Sequence, residues 1–139
     1  MALHPVLEEK LNVALTPGPA ESMTRRDAAL PQIPKKVHAV TGMRRSGKTT
    51  FLQQLANEKR RGTAPERALY LSFDDDRLAD IAADQLSALL EEFYRRYPQL
   101  RRRATVAWFF DEIQLVSGWE RFVRRVLDSE NVQMVVSGS

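Results

Sequence analysis

Apolar positions along this chain fall into two rhythms that alternate. Short runs at Val37 to Thr41, Ala68 to Phe73, Thr105 to Phe110 and Val132 to Val136 have the length of strands. The third run is apolar enough to be buried on both faces. Between these runs the spacing becomes helical. From Lys48 to Arg61 the residues Phe51, Leu52 and Leu55 share a face, the last turn is basic, and Gly62 follows as a stop. Leu86, Leu89, Leu90, Phe93, Tyr94 and Tyr97 recur at helical spacing until Pro98. Trp119, Phe122, Val123, Val126 and Leu127 predict a further short helix. Strands alternating with helices predict an α/β fold, a three-layer α/β/α arrangement around a parallel sheet.

The first 34 residues follow neither rhythm closely. Leu3, Val6, Leu7, Leu11 and Ala14 outline one amphipathic helix, which Pro17, Gly18 and Pro19 interrupt. Pro31 and Pro34 bound another irregular stretch. The expected organisation is therefore an N-terminal extension over 1–34, with a helix and a Pro/Gly linker, and one domain over 35–139.

Composition removes several function classes. An apolar fraction of 43% in 139 residues suits one domain with a packed core. The net charge of +3, from 21 basic and 18 acidic residues, permits a polyanionic partner without requiring one. The clustered basic run, Arg101 to Arg103, is more commonly a solvated loop than a nucleic-acid contact. With no cysteine and only His4 and His38, disulfides, thiolate nucleophiles and His/Cys metal centres are excluded. No basic-then-apolar leader opens the chain, and its longest apolar stretch, Val106 to Phe110, is far too short to span a membrane. A cytoplasmic protein without a membrane partner is the expectation.

The candidate chemistry starts in the turn after the first strand. Gly42 to Thr49, read as GMRRSGKT, fits the phosphate-loop pattern G-x-x-x-x-G-K-[ST]. Gly42 and Gly47 can adopt backbone angles closed to other residues, so the loop can fold around phosphate oxygens. The N–H groups of the loop, including Arg45 and Ser46, would then point inward, aided by the positive end of the following helix. Lys48 would reach the β- and γ-phosphates, the Thr49 hydroxyl a magnesium ion, and the Thr50 hydroxyl the α-phosphate. A chance match in an ordinary turn is the alternative, and the flanking strand and helix weigh against it.

A second signal is Val106 to Glu112, an apolar strand that ends in two acids. Ligands of parallel sheets bind at the carboxyl edge, where Asp111 would hold magnesium and Glu112 would deprotonate an attacking water. Alone, the pair reads more readily as a solvated acidic turn; with the phosphate loop upstream, the catalytic reading is favoured. One whole strand–helix unit, residues 68–97, separates the two motifs, so their strands need not be consecutive in sequence. Ser137 and Ser139 follow the fourth strand, where a hydroxyl would contact the γ-phosphate or the water. A polar turn would contain the same serines.

Taken in order, TGMRRSGKTT, LYLSFDDDRL, FFDEIQLVSGWERFVRRVLD and VVSGS resemble the ATPase domain of a prokaryotic AAA-superfamily group whose members carry a C-terminal domain of unknown function. The resemblance covers Val37 to Ser139. It implies that Gly42, Gly47, Lys48 and Thr49 form a Walker A site, that Asp111 and Glu112 form Walker B, and that Ser137 or Ser139 occupies a sensor position. Gln114, Trp119, Arg44 and Arg45 also match, with no role assigned to them. The resemblance further implies a fifth strand beside Val37 to Thr41, an arginine finger from a neighbouring copy and a helical lid, which lie beyond this match. The expected P-loop domain is therefore cut short after its fourth strand, with an exposed sheet edge and slow turnover.

Two function classes follow. The first is an ATPase, with ATP and Mg2+ as cofactors, completed by the rest of a larger protein or a homo-oligomer. The second is a nucleotide-dependent binding or switch module with little turnover, acting in one version on nucleic acid. A small-molecule kinase would need a lid and an acceptor pocket, for which the sequence offers no candidate segment.

Overall fold

Four of the apolar runs form strands, and all of them pair in parallel. In the computed structural model, residues 2–16, 37–41, 48–60 and 65–138 are described, with backbone alone at 37–41, 48–51 and 59–60. Strands β1 (Val37–Thr41), β2 (Ala68–Ser72), β3 (Val106–Asp111) and β4 (Val132–Gly138) lie in the order β1-β4-β3-β2. The chain crosses from β1 to the far edge and then steps back through β3 to β4. Strand β1 is thus an outer strand of the described sheet.

That reversal of direction determines which face each helix covers. A crossover between parallel strands is right-handed, so connections running in opposite directions put their helices on opposite faces. Helix α2 (Lys48–Arg60), between β1 and β2, packs Leu52, Leu55 and Ala56 against Ala68, Ala107, Phe109 and Val135. Helices α3 (Ala83–Arg96) and α4 (Trp119–Ser129) follow β2 and β3 and cover the other face. There Leu86, Phe93, Phe122 and Val126 meet Leu69, Trp108, Phe110 and Met134. The result is the expected three-layer α/β/α fold.

Helix α1 (Pro5–Leu15) belongs to this larger apolar cluster. Leu7 and Leu11 are fully buried in it. The His4 imidazole caps the helix by accepting from the Val6 N–H at 3.1 Å. Polar ties hold it in place: the His4 N–H donates to Gln85 Oε1 at 2.8 Å, and the Arg96 guanidinium to Asn12 Oδ1 at 2.6 Å. Lys10 also pairs with Asp75 at 3.3 Å, so the segment expected as an extension shares the core of the sheet.

Two local outcomes differ from the sequence pattern. Strand β4 runs two residues beyond Val136, because Ser137 and Gly138 stay paired with Val40 and Thr41 of β1. The run of three arginines is not uniformly solvated. Arg101 donates to the buried Glu130 carboxylate at 2.8 Å, pairs with Glu91 at 3.0 Å and lies over the Tyr94 ring. It ties the turn after α3 to the end of α4, whereas Arg102 and Arg103 are exposed.

Candidate active site

In a strand, alternate side chains face opposite ways. In β3 this sends Ala107, Phe109 and Asp111 to the α2 side, and in β4 it sends Val135 and Ser137 there. Because β3 and β4 are adjacent and in register through Phe110 and Val136, Asp111 and Ser137 meet at the carboxyl edge. The Ser137 hydroxyl donates to Asp111 Oδ1 at 2.5 Å. From the other neighbouring strand the Tyr70 hydroxyl donates to Asp111 Oδ2 at 2.8 Å. Asp111 is 1% exposed, and a buried carboxylate is tolerated only when hydrogen bonds replace its lost water. Two hydroxyl donors provide part of that replacement and aim the group.

Glu112 turns the chain out of the sheet. Its backbone is left-handed, with φ 57° and ψ 44°. For a residue with a side chain this conformation costs about 1–2 kcal/mol. Its N–H donates to Ser137 Oγ at 3.2 Å, so one serine hydroxyl links the strand acid to the acid after it. The Glu112 carboxylate accepts from the Gln114 side-chain amide at 2.9 Å. Gln114 in turn lies over Gly138, where a β-carbon would come within 2.5 Å of Gln114 Oε1.

The remaining sequence candidates flank this cluster. Strand β1 ends at Thr41, and α2 begins at Lys48, so a strand and a helix bracket the glycine-rich segment. Lys48, Thr49 and Thr50 form the first turn of α2. Gly42, Arg45, Ser46, Gly47 and Ser139 lie outside the described residues. Helices α2 and α4, which follow β1 and β3, pack on opposite faces of the sheet, and the end of β4 lies between those two strands, the usual ligand position in such sheets.

Among the described residues no group of three or more His, Cys, Asp and Glu side chains is placed to hold a metal ion. A protein cage for zinc or calcium is therefore not built from these residues. A single aimed carboxylate beside hydroxyls fits magnesium, which retains waters and takes phosphate oxygens for most of its shell.

A family described as an AAA domain matches residues 34–139. The chain belongs to this AAA domain family. Membership makes it a nucleotide-binding module of the P-loop type. An uncharacterised protein of Methanocaldococcus jannaschii is 39% identical over 114 residues, covering 82% of this chain and 23% of that protein. A Haemophilus influenzae protein, also uncharacterised, is 30% identical over 105 residues, or 74% of this chain and 25% of its own length. A second uncharacterised protein of M. jannaschii is 31% identical over 106 residues, 76% of this chain and 22% of that protein. This AAA domain thus spans about a quarter of the length of the curated relatives it matches. No solved structure matches it. No helix among its described residues is long and apolar enough to cross a membrane.

Three residues of the AAA domain's polar cluster escaped the sequence reading. Tyr70 looked like one apolar residue in a strand, and its partner Asp111 is 41 positions away. Only strand order reveals that contact. Gly138 sat between two serines that drew attention to themselves. Gln114 matched the family pattern without a role, and its position beside Glu112 depends on the left-handed turn.

Proposed function

We propose that this AAA domain binds ATP with magnesium at the carboxyl edge of β1, β4 and β3, and hydrolyses ATP when the rest of its polypeptide or a second copy completes the site. The observation that supports this most is the buried Asp111 carboxylate, aimed by Ser137 and Tyr70, two strands from the one leading into the Gly42–Thr49 segment. A solvated acidic turn would not bury its acid or give it two hydroxyl donors.

In this reading Lys48 and the loop N–H groups, from Gly42 through Arg45, Ser46 and Gly47, neutralise the triphosphate. Thr50 donates to the α-phosphate. Thr49 and Asp111 hold magnesium, which when bound offsets phosphate charge as the terminal phosphoryl group departs. Glu112 takes the proton of the attacking water. The Ser137 proton is directed at Asp111, so this serine holds the two acids in register, while Ser139 keeps the sensor role. The AAA domain is then a cytoplasmic ATPase module.

Arg101 weighs against nucleic acid as the primary partner. Its guanidinium is engaged by Glu130 and Glu91, so the run does not present three unengaged cations to a phosphate backbone.

Calorimetric titration with Mg-ATP tests the proposal. Lys48→Ala removes a charge-assisted bond and is expected to weaken binding roughly ten- to a hundredfold. Unchanged affinity would sink it. Glu112→Gln separates the two function classes: it retains ATP and abolishes turnover in an ATPase, and alters little in a switch that does not depend on hydrolysis.

A further inference from the structure

Gln114 and Gly138 meet at the end of the sheet in a contact that the roles above leave unused. Gln114 Nε2 donates to Glu112 Oε2 at 2.9 Å, while Gln114 Oε1 is buried with no hydrogen-bond partner among the described residues. Gly138 is in a regular strand and is not among the residues with positive φ, so backbone freedom does not require a glycine there. Space does. A β-carbon would lie 2.5 Å from Gln114 Oε1 and 3.2 Å from the amide carbon.

A buried amide with one unpaired acceptor lowers stability, and an apolar side chain of similar size would avoid that cost. The arrangement makes sense through what the amide donates to. The Glu112 main chain is fixed by its left-handed turn and by its bond to Ser137, but its carboxylate lies three side-chain torsions further out. A general base must sit within hydrogen-bond reach of the water it deprotonates, and small displacements are costly.

We propose that Gln114 is the positioning residue for the Glu112 carboxylate, and that position 138 is a glycine so that the Gln114 amide has room. This rests on the reading of Glu112 as the base. Gln114 acts through Glu112 and does not contact the nucleotide.

The test combines a spectrum of the nucleotide-free chain with kinetics of the longer polypeptide that completes the site. In the 1H–15N spectrum the Gln114 side-chain amide, assigned by its loss in Gln114→Ala, is expected away from the solvent-exposed amides. It should move to that region in Glu112→Ala and in Gly138→Ala. Gln114→Leu should melt at the wild-type temperature or above it, yet lose roughly ten- to a hundredfold in kcat. Its Mg-ATP affinity should stay within about twofold of wild type, because the nucleotide is not contacted. Gly138→Ala should lower kcat, but not further once residue 114 is alanine.

A wild-type amide among the exposed ones, or one unmoved by both substitutions, would overturn the tie. Wild-type kcat in Gln114→Leu would overturn the positioning role alone. Failure of the wild-type chain to bind Mg-ATP, or binding without turnover once the rest of its polypeptide completes the site, would remove the base assignment and this role with it.

Discussion

Among the described residues, one face of the sheet is thick with aromatic and large aliphatic side chains, and the other is thin. On the α1, α3 and α4 side, Trp108 meets Phe93 edge-to-face at 5.1 Å, and Phe110 meets Phe73 at 5.4 Å. On the α2 side the described apolar residues are fewer and smaller, with Ala56, Ala68 and Ala107 among them. That thin face carries Asp111, Ser137 and Tyr70. The two sets come from the same strands: β3 alternates Trp108 and Phe110 with Ala107, Phe109 and Asp111. Both sets are buried, so strand parity separates most of the aromatic packing from the polar cluster, and polar groups at one edge of the α2 face leave the other face intact.

The sharpest way to break this division is to damage the thick face. Trp108→Ala should cost ~3–5 kcal/mol in urea unfolding, since a fully buried ring leaves a cavity. Nucleotide binding should fail only where the protein unfolds. Leu11→Ala, in the N-terminal helix, should cost ~2–5 kcal/mol for the same reason. It should do so in a single transition, because α1 shares that core. Two separate transitions would show that α1 melts independently.

On the thin face Tyr70→Phe removes a hydroxyl from Asp111 and retains the ring. Hydrogen bonds to charged groups are worth ~1.5–3 kcal/mol, so a loss in that range is expected, together with weaker magnesium-dependent nucleotide binding. A stability loss without change in nucleotide affinity would separate Tyr70 from the site.

The ion pairs around α3 produce a smaller effect that depends on pH. Bonds from Arg95 and then Arg96 hold the Glu92 carboxyl down to about 2, from an ordinary 4.5. Its folded-state value is the lower one, so its contribution is complete above the ordinary value and is lost as pH falls through about 2. The Arg77 guanidinium and N–H likewise hold Asp75 well below the usual carboxylate range. Acid titration of Glu92→Gln should show a shallower decline below pH 4.5 than wild type.

Tyr94→Phe should have the least effect near neutrality, under ~1 kcal/mol, because the Tyr94 hydroxyl is buried without a partner among the described residues. Burial, and next the Glu130 charge, push this phenol up to about 12. Wild type should therefore lose stability as pH rises from about 10 toward 12, and Tyr94→Phe should lose less.

Much of the architecture was legible because periodicity is a local property. Phe93 and Tyr94 at helical spacing, or Val106 to Phe110 as an unbroken apolar run, announce their elements without reference to distant parts of the chain. The strand that ends at Thr41, the helix that begins at Lys48 and the acids at the end of β3 were legible for the same reason. The place of α1 was not, since its apolar residues look alike whether they cover a neighbouring sheet or a separate body. Arg101 was misread as part of a uniform run because its partners, Glu91 and Glu130, are 10 and 29 positions away.

The amino-acid order by itself determined the α/β alternation, read element by element from local periodicity, and the phosphate-loop pattern and the pair of acids, each of these two written in fewer than ten consecutive residues. Tertiary structure decided what those acids touch. The reversed path β1-β4-β3-β2 brings Tyr70, Asp111 and Ser137 together from three strands. The left-handed backbone at Glu112 places Gln114 beside its carboxylate and over Gly138. Contacts of this kind depend on strand order and register, which long-range packing selects and no short stretch of sequence encodes.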